Sequence, residues 1–107
     1  MEALKTLGSM IVEWSEEVFQ SVAEIMAYLE ENASLRTAQQ FYTLLWEAHL
    51  RIKNHPTTGR PSAKIDGVRS MKVGKHKKLF YWYDEGKQKV ILLSLFDMRQ
   101  HPEKSNY

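Results

Sequence analysis

The sequence predicts an α+β domain in the order β-α-α-β-β-β, with a helical hairpin packed on one side of a mostly antiparallel sheet. Three observations carry this expectation. Two successive stretches repeat apolar residues at helical spacing, with only Asn32-Ala33-Ser34 between them. After a segment rich in proline and threonine, the period of the apolar residues changes to two over three runs. A short alternating run also precedes the first helix.

Residues 1–9 carry little pattern and read as an N-terminal extension to a single domain over residues 10–107. Met10, Val12 and Trp14 then alternate with Ile11 and Glu13, the period of a strand. Ser15 is a suitable N-cap, and Glu16 and Glu17 stand where the helix dipole favours negative charge. Val18, Val22, Ile25, Met26 and Leu29 recur on one helical face until the helix ends near Asn32. Ser34 caps a second helix with the stripe Ala38, Phe41, Leu45, Ala48 and Ile52, which Pro56 stops. The short link makes the two helices antiparallel neighbours. Residues 55–61 read as a turn-rich linker, followed by an irregular loop to Val68. Strands are expected at 69–73, 77–83 and 89–96, joined by turns at Gly74 and at 84–87. The run Val90-Ile-Leu-Leu-Ser-Leu-Phe96 is apolar on both faces, which predicts a central strand covered on both sides. Residues 97–107 read as a polar tail.

A chain of 107 residues buries one modest core. Its 43% apolar and 26% charged residues are those of an ordinary globular protein, not of a disordered chain. With no cysteine, disulfides and thiolate sites are excluded. The four histidines have no metal-ligand spacing, so neither a metal nor another cofactor is expected. No membrane-length apolar run and no signal-peptide core occur, so the expected location is the cytoplasm. Net charge is only +2, but residues 1–50 hold two basic against eight acidic residues, and residues 51–107 thirteen basic against five acidic. Such asymmetry points to an anionic partner. The densest cations are Lys72, Lys75, Lys77 and Lys78 around Gly74, with Arg69 before them and Arg99, His101 and Lys104 after the last strand. The plain alternative is that acidic helices and basic strands neutralise each other within one monomer.

VEWSEE entering the first helix, Pro56 and Gly59 after the second, VRSMKVGK, KLFYWY and the ending LSLFDMRQHPEK follow one another at a spacing that resembles the RelE/ParE family of toxins. These belong to type II toxin–antitoxin, or plasmid stabilisation, systems. The resemblance covers about residues 10–104. It implies a toxin neutralised by a cognate antitoxin, through an acidic, helical segment of that partner. It also implies one of two targets. ParE-like members poison DNA gyrase; RelE-like members cut messenger RNA in the ribosomal A site without metal.

For metal-free RNA cleavage, cations must hold the developing phosphate charge while a base and an acid move protons. The catalytic candidates, if the chain is a nuclease, are Arg69, Lys78, Arg99 and His101; Tyr107 is a looser stand-in for the family's C-terminal tyrosine. Lys75, His76 and Lys77 are candidates for target binding. The RelE-like pattern has a second basic residue two positions after the first on its strand, and here that position is Met71. A methionine cannot stabilise a phosphate, which favours the ParE-like growth inhibitor over the endoribonuclease. A non-toxic basic binding module on the same fold is the third reading. Structural roles compete at each position: Arg69 as an anchor to a helix carboxylate, Lys75–Lys78 as a solvated hairpin, Arg99 as a tail anchor to Asp97 or Glu103. In the run Phe80-Tyr81-Trp82-Tyr83, alternation splits the rings, and core packing with an antitoxin groove is favoured over base stacking.

Overall fold

Ser15 turns the first strand into the first helix. Its hydroxyl accepts from the Val18 amide at 3.1 Å and donates to the Leu93 carbonyl at 3.0 Å, so one side chain caps the helix and ties it to the sheet. The computed structural model describes residues 10–99 and 101–107; the expected N-terminal extension, residues 1–9, lies outside the described residues. Strand β1 (Ile11–Trp14) leads into helix α1 (Glu16–Asn32), and Ser34 caps helix α2 (Leu35–Asn54) by accepting from the Thr37 amide at 3.0 Å. None of the described helices is long and apolar enough to cross a membrane.

Strands β3 (Val68–Val73), β4 (Lys77–Asp84) and β5 (Lys89–Asp97) each fall within one residue of the expected limits. A two-residue strand β2 (Arg60–Pro61) is an addition inside the segment expected to be linker; it pairs antiparallel with Ser70 and Arg69. Pro61 lacks a ladder donor, and an edge strand tolerates that loss. The sheet order is β1-β5-β4-β3-β2, with β1 parallel to β5 and every other pairing antiparallel.

The helices cover one face of this sheet. Leu79, Tyr81, Val90, Leu92 and Leu95 pack there against Val18, Val22, Leu45, Ala48 and Ile52. A register shift between Phe80 and Tyr81 pairs them with Ser94 and Leu92, leaving Leu93 as an extra residue. The bulge reverses the alternation, so Leu95 rather than Ser94 enters the core. It also corrects the expectation for β5. That strand lies inside the sheet, but β4 holds the centre, and β5 is fully covered on one face only, with Ile91 and Leu93 half-buried. Its unbroken apolar run reflects a change of parity at the bulge more than two buried faces.

At the β3–β4 turn, Gly74 adopts φ +68°, a left-handed conformation that a side chain would strain. In the β4–β5 turn the residue with positive φ is Gln88, at +51°, and not Gly86. The tail is more than polar: after a short 3-10 turn (Pro102–Lys104) it returns across the open face of the sheet. There Ser62 donates to the Tyr107 carbonyl, and the Tyr107 ring lies 5.6 Å from that of Phe80.

Candidate functional site

Cross-strand pairing sets the chemistry of the open face. Arg60, Ser70, Phe80 and Ser94 form one row across β2, β3, β4 and β5, and Lys72, Lys78 and Phe96 form the next. Arg60, Ser70, Lys78, Phe80 and Phe96 from these rows, with Tyr107 of the returning tail, line a groove of about 490 Å³, and Lys72 stands beside it. Lys78 Nζ stands 5.7 Å from the centre of the Phe80 ring. Lys72 and Lys78 are direct cross-strand partners, a like-charge pairing that costs stability. Arg60, Lys72 and Lys78 have no ion-pair partner among the described residues. An anion seated between them would supply the missing counter-charge, and the rings beside it offer faces for a planar group.

A second cleft, of about 730 Å³, opens on the other side between the helices and the β3–β4 turn. Its floor is apolar, with Ile25 and Leu29 from α1 and Phe41 and Leu44 from α2; Lys75, His76 and Arg99 stand on its rim. Behind the rim, Asp97 gathers Arg99 at 2.7 Å and Lys77 at 3.2 Å. The Arg99 guanidinium, assisted by Lys77, holds the Asp97 carboxyl well below the usual carboxylate range. Lys75 and His76 are therefore the exposed members of the turn, whereas Lys77 is half-buried and paired.

Neither a protein-family model nor a curated protein matches the sequence. Solved structures do match its shape. A chain of the chromosomal ParDE TA system from P. aeruginosa superposes with a TM-score of 0.70 at 14% identity, over 83% of this chain and 96% of that one. The YoeB/ParE toxin from Agrobacterium tumefaciens gives 0.61 at 11% identity, over 82% and 98%. The isolated E. coli RelE toxin gives 0.60 at 10% identity, over 88% and 89%. The chain has the RelE/ParE toxin fold. The resemblance drawn from sequence motifs is thus met by shape, at identities that speak for the fold alone.

Within this RelE/ParE fold the four catalytic candidates do not converge. Arg69 is half-buried on the helix-covered side and donates to the carbonyls of Thr57 at 3.1 Å and Gly59 at 2.9 Å. It anchors the α2–β2 loop, through carbonyls and not through a helix carboxylate. The same loop is held by Tyr81, whose hydroxyl donates to the Pro56 carbonyl at 2.7 Å and accepts from the Gly59 amide at 2.9 Å. Gly59 has no room for a side chain there: an added Cβ would lie 2.9 Å from the Ser70 carbonyl oxygen. Met71 shares the side of Arg69 and lies 3.7 Å from Arg51 Nη1. Lys78 is the one candidate in the open-face groove. Arg99 is bound to Asp97 at the turn, and exposed His101 lies 3.7 Å from Glu103.

Phe80 and Trp82 stand on the open face and Leu79, Tyr81 and Tyr83 on the helix side, as alternation requires. Sequence reasoning missed Arg60 and Ser70 as groove residues. Counting parity from Lys78 and Phe80 across the β3–β4 turn would have found Ser70. Nothing local marks Arg60, which sits in a strand two residues long.

Proposed function

We propose that the chain is the toxin of a type II toxin–antitoxin pair and that it acts ParE-like, by binding a gyrase-type target without cutting nucleic acid. The observation that carries this reading is the dispersal of the catalytic candidates. Metal-free cleavage needs cations and proton carriers within reach of one phosphate. Arg69 serves the α2–β2 loop, Arg99 serves Asp97, and only Lys78 faces the groove. Cations and rings without a convergent acid and base suit binding. The target-binding set is then Lys75 and His76 on the turn, with Lys77 behind them, extended onto the open face by Lys78.

The cognate antitoxin is an acidic, helical segment that occupies the cleft between the helices and the turn. Ile25, Leu29, Phe41 and Leu44 would receive its apolar stripe, and Lys75, His76 and Arg99 its carboxylates. Neutralisation would follow because the antitoxin covers the turn that the target needs.

Induced expression decides the target. Growth arrest with intact messages and inhibited supercoiling by purified gyrase is the expected result. The endoribonuclease is the second reading, favoured by Tyr107, Lys78 and Arg60 sharing one groove; in-frame cuts in translated messages would establish it and sink the first. Absence of any growth arrest from soluble protein would leave the basic binding module.

A further inference from the structure

The cleft between the helices and the β3–β4 turn has two unlike walls. On the helix side stand Ile25 and Leu29 of α1 with Phe41 and Leu44 of α2, and Val73 adds to them from the end of β3. Leu44 is 44% exposed, and Tyr28 beside this wall is 64% exposed. An added Cβ at Gly74 would lie 3.6 Å from Leu44 Cδ1, so the turn meets α2 there and bounds the cleft. Its volume of about 730 Å³ is that of a small-molecule pocket.

The opposite wall is cationic and held in place. The Met98 amide donates to the His76 carbonyl at 2.7 Å, which ties the turn to the end of β5. Asp97 accepts from Arg99 Nε at 3.0 Å and from Nη2 at 2.7 Å. The guanidinium is thereby fixed, and its Nη1 keeps no protein partner among the described residues. Lys75 forms no ion pair among them either. Lys75, Lys77 and Arg99 outnumber Glu24, which also lines the cleft, and Asp97 behind the rim by three to two.

These walls describe one kind of ligand, with an apolar chain and a single anionic head. We infer that the cleft binds a free aliphatic monocarboxylic acid of about ten carbons, its chain against the helices and its carboxylate on Lys75 and the Nη1 edge of Arg99. A nucleotide would need several free cations and broad stacking faces, whereas this wall is mostly aliphatic and only Lys75 is unpaired. A cationic amphiphile would bring its head onto Lys75. The acid and the antitoxin segment would exclude each other, a consequence that rests on the toxin reading; the binding itself does not.

Titration calorimetry on the chain alone tests the inference, with octanoate, decanoate and decyltrimethylammonium below their micelle concentrations and circular dichroism on each variant. Decanoate binds once per chain with a Kd of ~10–100 μM, and octanoate, two methylenes shorter, binds about ten-fold more weakly. Leu44→Asp abolishes binding and keeps the helical spectrum, because Leu44 is partly exposed in the native chain. Lys75→Glu weakens decanoate about ten-fold and raises the affinity for decyltrimethylammonium. That exchange of preference separates a built head site from a greasy surface. Equal affinity of the native chain for both head groups, binding that survives Leu44→Asp, or no saturable decanoate binding would each overturn the proposal. Because no antitoxin or target enters the experiment, its failure leaves the toxin reading standing.

Discussion

Strands β3 and β4 have two faces of opposite character, one residue apart along the chain. On the helix-covered face each basic group has a protein partner, and so does the buried Tyr81 hydroxyl: Arg69 the carbonyls of Thr57 and Gly59, Tyr81 the backbone of Pro56 and Gly59, and Lys77 the Asp97 carboxylate. On the open face Arg60, Lys72 and Lys78 have none of these anchors. The difference teaches that density of positive charge along this sequence does not mark a site. Parity does, because it decides whether a cation meets a carbonyl or faces solvent.

The comparison breaks most visibly at Tyr81. Its ring is fully buried in the core and its hydroxyl holds the α2–β2 loop. Tyr81→Ala should cost about 3–5 kcal/mol, a large share of the stability of a domain this size, and be seen as a collapse of the urea midpoint. A loss below 1 kcal/mol would mean that the helix-covered face is not what holds the domain together.

Next in size is a crossed pair. Arg69→Ala leaves two loop carbonyls without their donor and should cost about 1–3 kcal/mol, while growth arrest persists in the protein that remains folded. Lys78→Ala should leave thermal stability almost unchanged and abolish growth arrest if the open face meets the target. Reversal of the two phenotypes would return Arg69 to the functional site and make Lys78 ordinary surface.

A smaller effect concerns His49. Burial, with Lys53 nearby, lowers its pKa below the ordinary 6.5, and its unprotonated Nδ1 accepts the Trp14 indole N–H. The fold thus favours neutral imidazole. The stabilisation is present above the unfolded value near 6.5 and is lost as pH falls from there toward the lowered folded value, because the unfolded chain then binds the proton more readily. Thermal midpoints followed downward from neutral pH should fall more steeply for the native chain than for His49→Asn. Parallel curves would remove the Trp14–His49 bond from the account of stability.

Most of this fold was legible because local rules and tertiary packing agree in it. Ser15 and Ser34 cap where cap residues were expected, and the stripes of both helices face the sheet. What escaped was non-local. The β5 bulge depends on Leu93 giving its carbonyl to Ser15, a residue 78 positions away, so the parity change could not be read from the run itself. Strand β2 exists only because Ser70 and Arg69 offer it an edge. The site was harder for the same reason. Arg69 and Lys78 look alike as basic residues beside a glycine turn, and only pairing across the sheet separates an anchor from a groove residue. Met71 tilts the sequence reading towards the ParE-like target, but it shares the side of Arg69, so its lack of charge bears on the helix side and not on the groove.

The finest test of the two-face comparison is Lys72. It stands directly opposite Lys78 on the open face, and like charges so placed repel. If that face is built to receive an anion, Lys72→Ala should raise the stability of the free protein by ~0.2–1 kcal/mol and weaken its binding to a polyanion such as heparin. The two effects have one cause, so they should diminish together as salt rises and screens the pair. A stability gain without any loss of polyanion affinity would mean that the lysine pair is strained surface. A loss of affinity with no gain would mean that Lys72 attracts the anion while lying too far from Lys78 to repel it.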